Sequence, residues 1–376
     1  MSAEKRPAQE GFGSTQLVKR PRSDSNLGNG SGGGSAVAVV NSSAQNGALI
    51  QAIPRTSGLE APIMELTGHS GEIFATRFDP TGQNIASGSM DRSIRLTMDL
   101  PGEGNFTVLW RTYGQCENYG VLTGHKGAVL DLQWSRDSEN IFSASADMTL
   151  ARWDAKSGQR IRQFKGHEEI INCLDATRTD HGLLISGSDD GCVGIWDPRQ
   201  KEAVDFLESE MPVTAVALAA AGNEIYSGGI DNDIHVWDIR KRCIIYSMVG
   251  HTDTISSLNI SPDSQTLLSN SHDSTVRTWD IRPLAPKDRH IKTYDGAPIG
   301  LEKNLIRASW NPTGERIAAG SGDRSVVVWD VKSGKLLYKL PGHKGTVNDV
   351  RFSPGDEPII VSGSSDRNIM LGELGK

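Results

Sequence analysis

The stretch GHKGAVLDLQWSRDSENIFSASADMTLARWD (124–154) decides the fold. It opens on a Gly-His pair and runs into AVLDLQW (128–134), where apolar and polar residues alternate as in a half-buried strand. A polar turn and a second short strand lead to SASAD (143–147), and six residues after Asp147 stand Trp153 and Asp154. Outward from here the pattern recurs. Gly-His pairs stand at 68–69, 166–167, 250–251 and 342–343, and Trp-Asp pairs at 196–197, 237–238, 279–280 and 329–330. Ser- or Gly-rich runs ending in Asp return as SGSDD (186–190), SGGID (227–231), SNSHD (269–273), AGSGD (319–323) and SGSSD (362–366). From Trp153 onward the repeated tryptophans are spaced by 43, 41, 42 and 50 residues.

A period in the low forties carrying these dipeptides resembles that of the WD-repeat family, whose unit is a four-stranded blade. The resemblance implies an all-β chain, a seven-bladed WD-repeat β-propeller over residues 61–376. Two repeats are degenerate. The last has Gly372-Glu373 in the Trp-Asp slot. In the first, SGSMD (87–91) and RSIR precede LTMDLPGEGNFTV (96–108), and removing those thirteen residues would put Trp110 six residues after Asp91. An insertion within or beside the third strand of that blade is therefore expected. The last repeat ends at its third strand, NIMLGEL (368–374), while APIMEL (61–66) has no blade of its own. The latter is expected to close the ring as the missing fourth strand, leaving no edge to pair and so a monomer.

His, Ser and Asp together suggest a hydrolytic triad, but such a site occurs once in a domain, whereas this set recurs in register. The family resemblance implies instead a hydrogen-bonded chain of His, a strand hydroxyl, the turn Asp and the Trp indole. The matching residues are His125, Asp147 and Trp153, then His167, Asp190 and Trp196, then His251, Asp273 and Trp279. Which serine completes each set is open. Left unpaired, each buried group would cost about 1–3 kcal/mol, so the chain braces its blade. The fourth and sixth blades have Glu208-Ser209 and Leu301-Glu302 near the Gly-His slot, and more reliance on packing is expected there. No phosphate loop, dinucleotide fingerprint or HExxH motif occurs, so neither catalysis nor a cofactor or metal is expected.

Family members use the face bearing the interblade loops for partners. That implies Met90, Asp189, Ile230, His272 and Ser365, each beside a turn Asp, as contact candidates. The excursion RPLAPKDRHIKTYDGAPIGLEKN (282–304), with Lys287 and Arg289, is a second candidate, although part of it must form a strand.

Residues 1–60 contain GNGSGGGSA (28–36) and NSSAQNG (41–47), tracts that cannot offset their ordering entropy, so a disordered tail is expected. In it, Lys19, Arg20 and Arg22, with Lys5-Arg6 upstream, resemble a bipartite nuclear-import signal and point to the nucleus. A net charge of −7 argues against nucleic-acid binding by the whole surface, leaving RNA contact indirect or confined to a local basic patch. Cys116, Cys173, Cys192 and Cys243 are too scattered for a zinc site or a disulfide framework. No apolar run approaches the ~20 residues of a membrane span, and a soluble intracellular chain is expected.

Four stretches carry a narrower resemblance, YSGGIDNDIHVWDIR (226–240), RTWDIRPLAPKDR (277–289), EKNLIRASWNPTGERIAAGSGDR (302–324) and LLYKLPGHKGTVNDVRFSPGDEPIIVSGSSDRNIMLGEL (336–374), and YGQCENYGVLTGH (113–125) and VKRPR (18–22) share it. They are similar to the WD-repeat subunits of the U5 small nuclear ribonucleoprotein. This implies a scaffold in pre-mRNA splicing that docks on the large U5 core protein and other spliceosomal proteins. A competing resemblance lies in Trp-Asp-x-Arg at 196–199, 237–240 and 279–282, similar to the adaptor-docking box of substrate receptors for cullin-type ubiquitin ligases.

Overall fold

The computed structural model describes residues 57–59, 61–96, 112, 120–177 and 182–375. Most of the expected tail, with Lys19, Arg20 and Arg22, lies outside the described residues, as do 97–108 of the insertion, Trp110 and Cys116. The described strands form seven four-stranded antiparallel sheets, and no helix occurs among the described residues.

Each sheet is one blade, and in six of the seven strands a to d follow chain order. The first blade is Ile73–Phe78, Ile85–Ser89, Ser93–Leu96 and Gly120–Thr123. In the seventh, Val347–Phe352, Ile359–Ser364 and Asn368–Glu373 are completed by Ile63–Thr67, whose Ile63 lies opposite Gly372 and Thr67 opposite Asn368. The earliest described strand thus closes the blade built by the end of the chain. The expectation that closure would leave no edge to pair does not hold. The fourth strands keep a free edge on the rim, where Arg160–Lys165 and Leu336–Pro341 have many exposed positions. Charged residues on such an edge oppose strand addition.

The blades are joined by their inner strands. In six blades strand a carries a register shift against strand b, as between Val129 and Asp131 or Val347 and Asp349. The extra residue of such a bulge leaves the ladder and is free to reach the next blade. Thus Thr214 donates to the Ile255 carbonyl, Ser256 to Ile306, Asn172 to Val213, and Asn348 to Ile73. Strand-a aspartates accept in return: Asp131 and Asp349, each directly after its bulge, take the Leu174 N–H at 2.9 Å and the Thr76 N–H at 2.8 Å, and Asp175, further along its strand, takes that of Leu218 at 2.9 Å. The last pair ties the seventh blade to the first. Apolar cores fill the seams between blades, as where Cys173 and Ile185 meet Val213 and Trp237. The approach is close enough that a Cβ on Gly228 would lie 2.8 Å from Ile255.

The first blade keeps register on both sides of its interruption. Leu96 still pairs with Ala86 and Gly120, so it belongs to the third strand and not to the expected insertion. Thr112, two residues after Trp110, donates its hydroxyl to the Gln83 carbonyl at 3.0 Å. Ala155, two residues after Trp153, takes the matching place in the second blade by donating its N–H to Glu139. The excursion at 282–304 is really two connections. One precedes strand d of the fifth blade (His290–Tyr294) and the other follows it, on opposite faces of the ring.

Candidate interaction surfaces

Five histidines enter on the loops that connect strand d to the next strand a. His69, His125, His167, His251 and His343 donate from Nδ1 to Asp91, Asp147, Asp190, Asp273 and Asp366 at 2.9, 3.0, 2.7, 2.8 and 2.9 Å. Their Nε2 atoms lie 2.8, 2.7, 2.7, 2.7 and 2.9 Å from the hydroxyls of Ser87, Ser143, Ser186, Ser269 and Ser362. In blades two, three and five the same serine accepts the indole N–H of Trp153, Trp196 or Trp279 at 2.8 Å. The serine left open by the sequence is therefore the residue four before the turn Asp.

The chain of bonds has one consistent direction. An indole only donates, so the serine oxygen accepts from it and the serine proton goes to Nε2; Nδ1–H then faces the carboxylate. This needs a neutral imidazole. Burial pushes His69, His167 and His251 below the usual histidine value, against the pull of their aspartates. For Asp147 and Asp273 burial acts upward but is outweighed by hydrogen bonds from histidine and from Thr149 or Thr275, holding both well below the usual carboxylate range. Ser143, Ser186 and Ser269 are fully buried, so these tetrads present no nucleophile to solvent.

Blades four and six replace the tetrad by other polar pairs rather than by packing alone. In blade four Trp237 still donates to Ser227 at 2.7 Å, while His235, from strand c, meets Asp231 at 2.5 Å and Ser247 at 2.7 Å. In blade six Ala319 stands where the serine would be, Trp329 donates to the Asp295 carbonyl at 2.9 Å, and Asp323 pairs with Lys339 at 2.5 Å.

The five positions beside the turn Asp lie on the histidine-loop face but differ in availability. Met90 and Ile230 are 57% and 51% exposed, and Asp189 is exposed while holding the Asn172 amide at 2.6 Å. His272 is half-buried beside the Asn304 carbonyl, and Ser365 donates to Glu72 and accepts from Asn304 and Asn348. Lys287 and Arg289 precede strand d and so lie on the opposite face. Lys287 is exposed, but Arg289 covers the Tyr246 ring at 4.1 Å and donates to the Asp280 and Arg282 carbonyls. Of the Trp-Asp-x-Arg arginines, Arg282 folds back onto its own Asp280, and Arg199 Nε stands 3.6 Å from Asp197.

The inner strands hold a cluster that no repeat motif signals. Arg77 bridges Asp131 at 3.0 Å and Asp349 at 2.9 Å; Arg307 pairs with Asp131 and donates to the Leu130 and Asn172 carbonyls; Arg351 pairs with Asp349 at 2.9 Å. Burial and the neighbouring Arg77 push Arg351 down to about 10. Among the described residues no cluster suited to a metal ion occurs.

Comparison with known proteins adds to this geometry. The description "Nucleolar protein 10-like, N-terminal domain" matches residues 126–367, and "WD domain, G-beta repeat" matches 60–97. The chain is 46% identical to the U5 small nuclear ribonucleoprotein 40 kDa protein of Homo sapiens, over 95% of each chain. It is 44% identical to the Dictyostelium discoideum protein of the same name, over 87% of this chain and 88% of the relative. It is also 42% identical to the pre-mRNA-splicing factor cwf17 of Schizosaccharomyces pombe, over 86% of this chain and 90% of that one. With its seven closed blades and this breadth of identity, the chain belongs to the WD-repeat family of U5 small nuclear ribonucleoprotein 40 kDa proteins.

Proposed function

We propose that this chain is a non-catalytic scaffold of the U5 small nuclear ribonucleoprotein, acting in pre-mRNA splicing in the nucleus. The observation that carries the reading is identity of 42–46% over most of the chain to relatives named for that particle and that process. The geometry supports it: the recurrent His, Ser, Asp and Trp residues are engaged with one another, and what the ring offers a partner is two loop-bearing faces and a rim. The large U5 core protein is the proposed docking partner, and the face bearing Met90 and Ile230 is the proposed contact, because these two apolar side chains stand exposed beside turns whose Asp is already held.

The test is affinity purification of the tagged chain from nuclear extract, with and without ribonuclease. The large U5 proteins should co-purify in both arms. Recovery of a cullin and its adaptor in their place would reverse the assignment, and loss of the U5 proteins on ribonuclease treatment would make RNA the tether. Charged replacement at Met90→Glu with Ile230→Glu should weaken recovery of the core protein; unchanged recovery would move the contact elsewhere on the ring.

A further inference from the structure

The seam between blades two and three carries a concentration of positive charge at odds with the chain's net −7. Two neighbouring clefts follow it from the rim to the face opposite the histidine loops. One is lined by Arg162, Gln163, Lys165, Lys201 and Glu202. Arg136, Asp137, Arg152, Pro198 and Arg199 line part of the other. At the centre, Arg152 and Arg162 lie directly opposite each other on strands c and d of blade two. Like charges in that relation destabilise a sheet. Neither arginine has a carboxylate partner among the described residues. Instead both guanidinium groups donate to one carbonyl, that of Pro198 across the seam, at 3.5 and 3.1 Å, and Arg152 also holds Asn140 at 3.0 Å. Lys165 and Lys201 likewise form no ion pair among the described residues. Asp137 feels Arg152, but its carboxylate is engaged by the Ser135 hydroxyl and the Glu139 N–H.

We infer that this seam binds the phosphate backbone of RNA. Two arginines held side by side by a neutral carbonyl leave N–H groups unengaged and a repulsion unrelieved. A phosphate bridging them would satisfy both, with the planar fork suited to its oxygens. The lining also favours a polyanion over a protein hot spot, which would offer an exposed aromatic or aliphatic anchor and few charges; here Trp134 and Phe142 are buried, and the charged lining is mostly cationic, with Glu202 and Asp137 its carboxylates. The low overall charge of the chain does not bear on this, because phosphate contact is local. The inference extends the scaffold reading and does not depend on it.

The test uses the purified full chain and a labelled oligouridylate, with anisotropy measured across a salt series. Binding should weaken with salt, and the double variant Arg152→Gln, Arg162→Gln should lose about tenfold in affinity and lower the log–log salt slope by about 1.4, the value for two contacts on a single strand. A thermal melt confirms that the variant is folded, and Lys332→Gln with Lys335→Gln, on blade six, should leave binding unchanged. Absence of wild-type binding at low salt, or an unaltered slope in the double variant, overturns the inference. So does a polyglutamate peptide binding as tightly as RNA, which would make an acidic protein the ligand. Co-purification of U5 proteins with the double variant would leave the scaffold reading standing whichever result is obtained.

Discussion

Blades four and five are neighbours with the same Trp-to-Ser bond, 2.7 Å from Trp237 to Ser227 and 2.8 Å from Trp279 to Ser269, yet they treat the turn aspartate in opposite ways. In blade five the imidazole of His251 comes from the interblade loop, is buried, and lies between Ser269 and Asp273. In blade four the imidazole of His235 comes from strand c and reaches Asp231 from the solvent side. Burial lowers the His251 pKa, whereas the Asp231 hydrogen bond raises that of His235. The difference teaches that the turn Asp requires a donor, while the path by which the donor arrives decides whether it carries charge. Blade six extends the series, since Asp323 there takes Lys339.

The largest effect should come from the serine that the two blades share. Ser269→Ala removes the acceptor of Trp279 and the donor to His251 together, stranding two buried groups, and should cost about 2–4 kcal/mol in denaturant unfolding. Ser227→Ala strands only the Trp237 N–H and should cost about 1–2 kcal/mol. Equal losses would show that the histidine contributes nothing to the tetrad and would break the comparison.

Such contrasts mark where the sequence was legible. The near-constant offset of 22 or 23 residues from His to Asp and the constant six from Asp to Trp revealed the blades and the tetrads, because a repeated structural demand leaves a repeated residue. The same logic would have identified the serine, which stands four before Asp in SASAD (143–147) as in SGSDD (186–190), had that offset been followed. The inner cluster of Arg77, Arg307, Arg351, Asp131 and Asp349 was not legible. Its members come from four blades, serve a single ring interior and repeat nowhere as a set. Lys287 and Arg289 were grouped by adjacency, yet only the first is presented to solvent, because the second finds Tyr246 on the neighbouring blade. The interruption of the first blade was placed one residue early, since Leu96 still satisfies the ladder and sequence alone offered no reason to prefer it over Leu109.

A smaller effect, of opposite sign in the two blades, should appear in the pH dependence. His69, His167 and His251 have folded pKa values below the 6.5 of a free histidine, so the unfolded chain binds protons first as the pH falls. Their contribution is fully present above that value and is lost as pH drops through the folded value, so the melting temperature should fall on acidification below pH 6.5. His235 is raised above 6.5, and its contribution is present below that value and lost as pH rises through its folded pKa. The penalty of His251→Gln should therefore shrink as pH is lowered from neutrality, and that of His235→Gln should shrink as pH is raised, each from about 1–2 kcal/mol at its maximum. Parallel profiles for the two variants would mean that both imidazoles share one protonation state.

The smallest effect is expected in blade six. Lys339 and Asp323 are 45% and 30% exposed along their side chains, and an ion pair in that setting is screened by water and salt. Asp323 is not dependent on it, since its other oxygen accepts the Ser325 hydroxyl at 2.5 Å and the Ser325 N–H at 3.2 Å. Lys339→Met should therefore cost no more than about 1 kcal/mol in low salt and nearly nothing in high salt. The stability of blade six must then come from elsewhere, from Trp329 fully buried against Tyr294 and bonded to the Asp295 carbonyl. A salt-independent loss comparable with that of Ser269→Ala would reverse this ordering, making the exposed pair as structural as a buried tetrad.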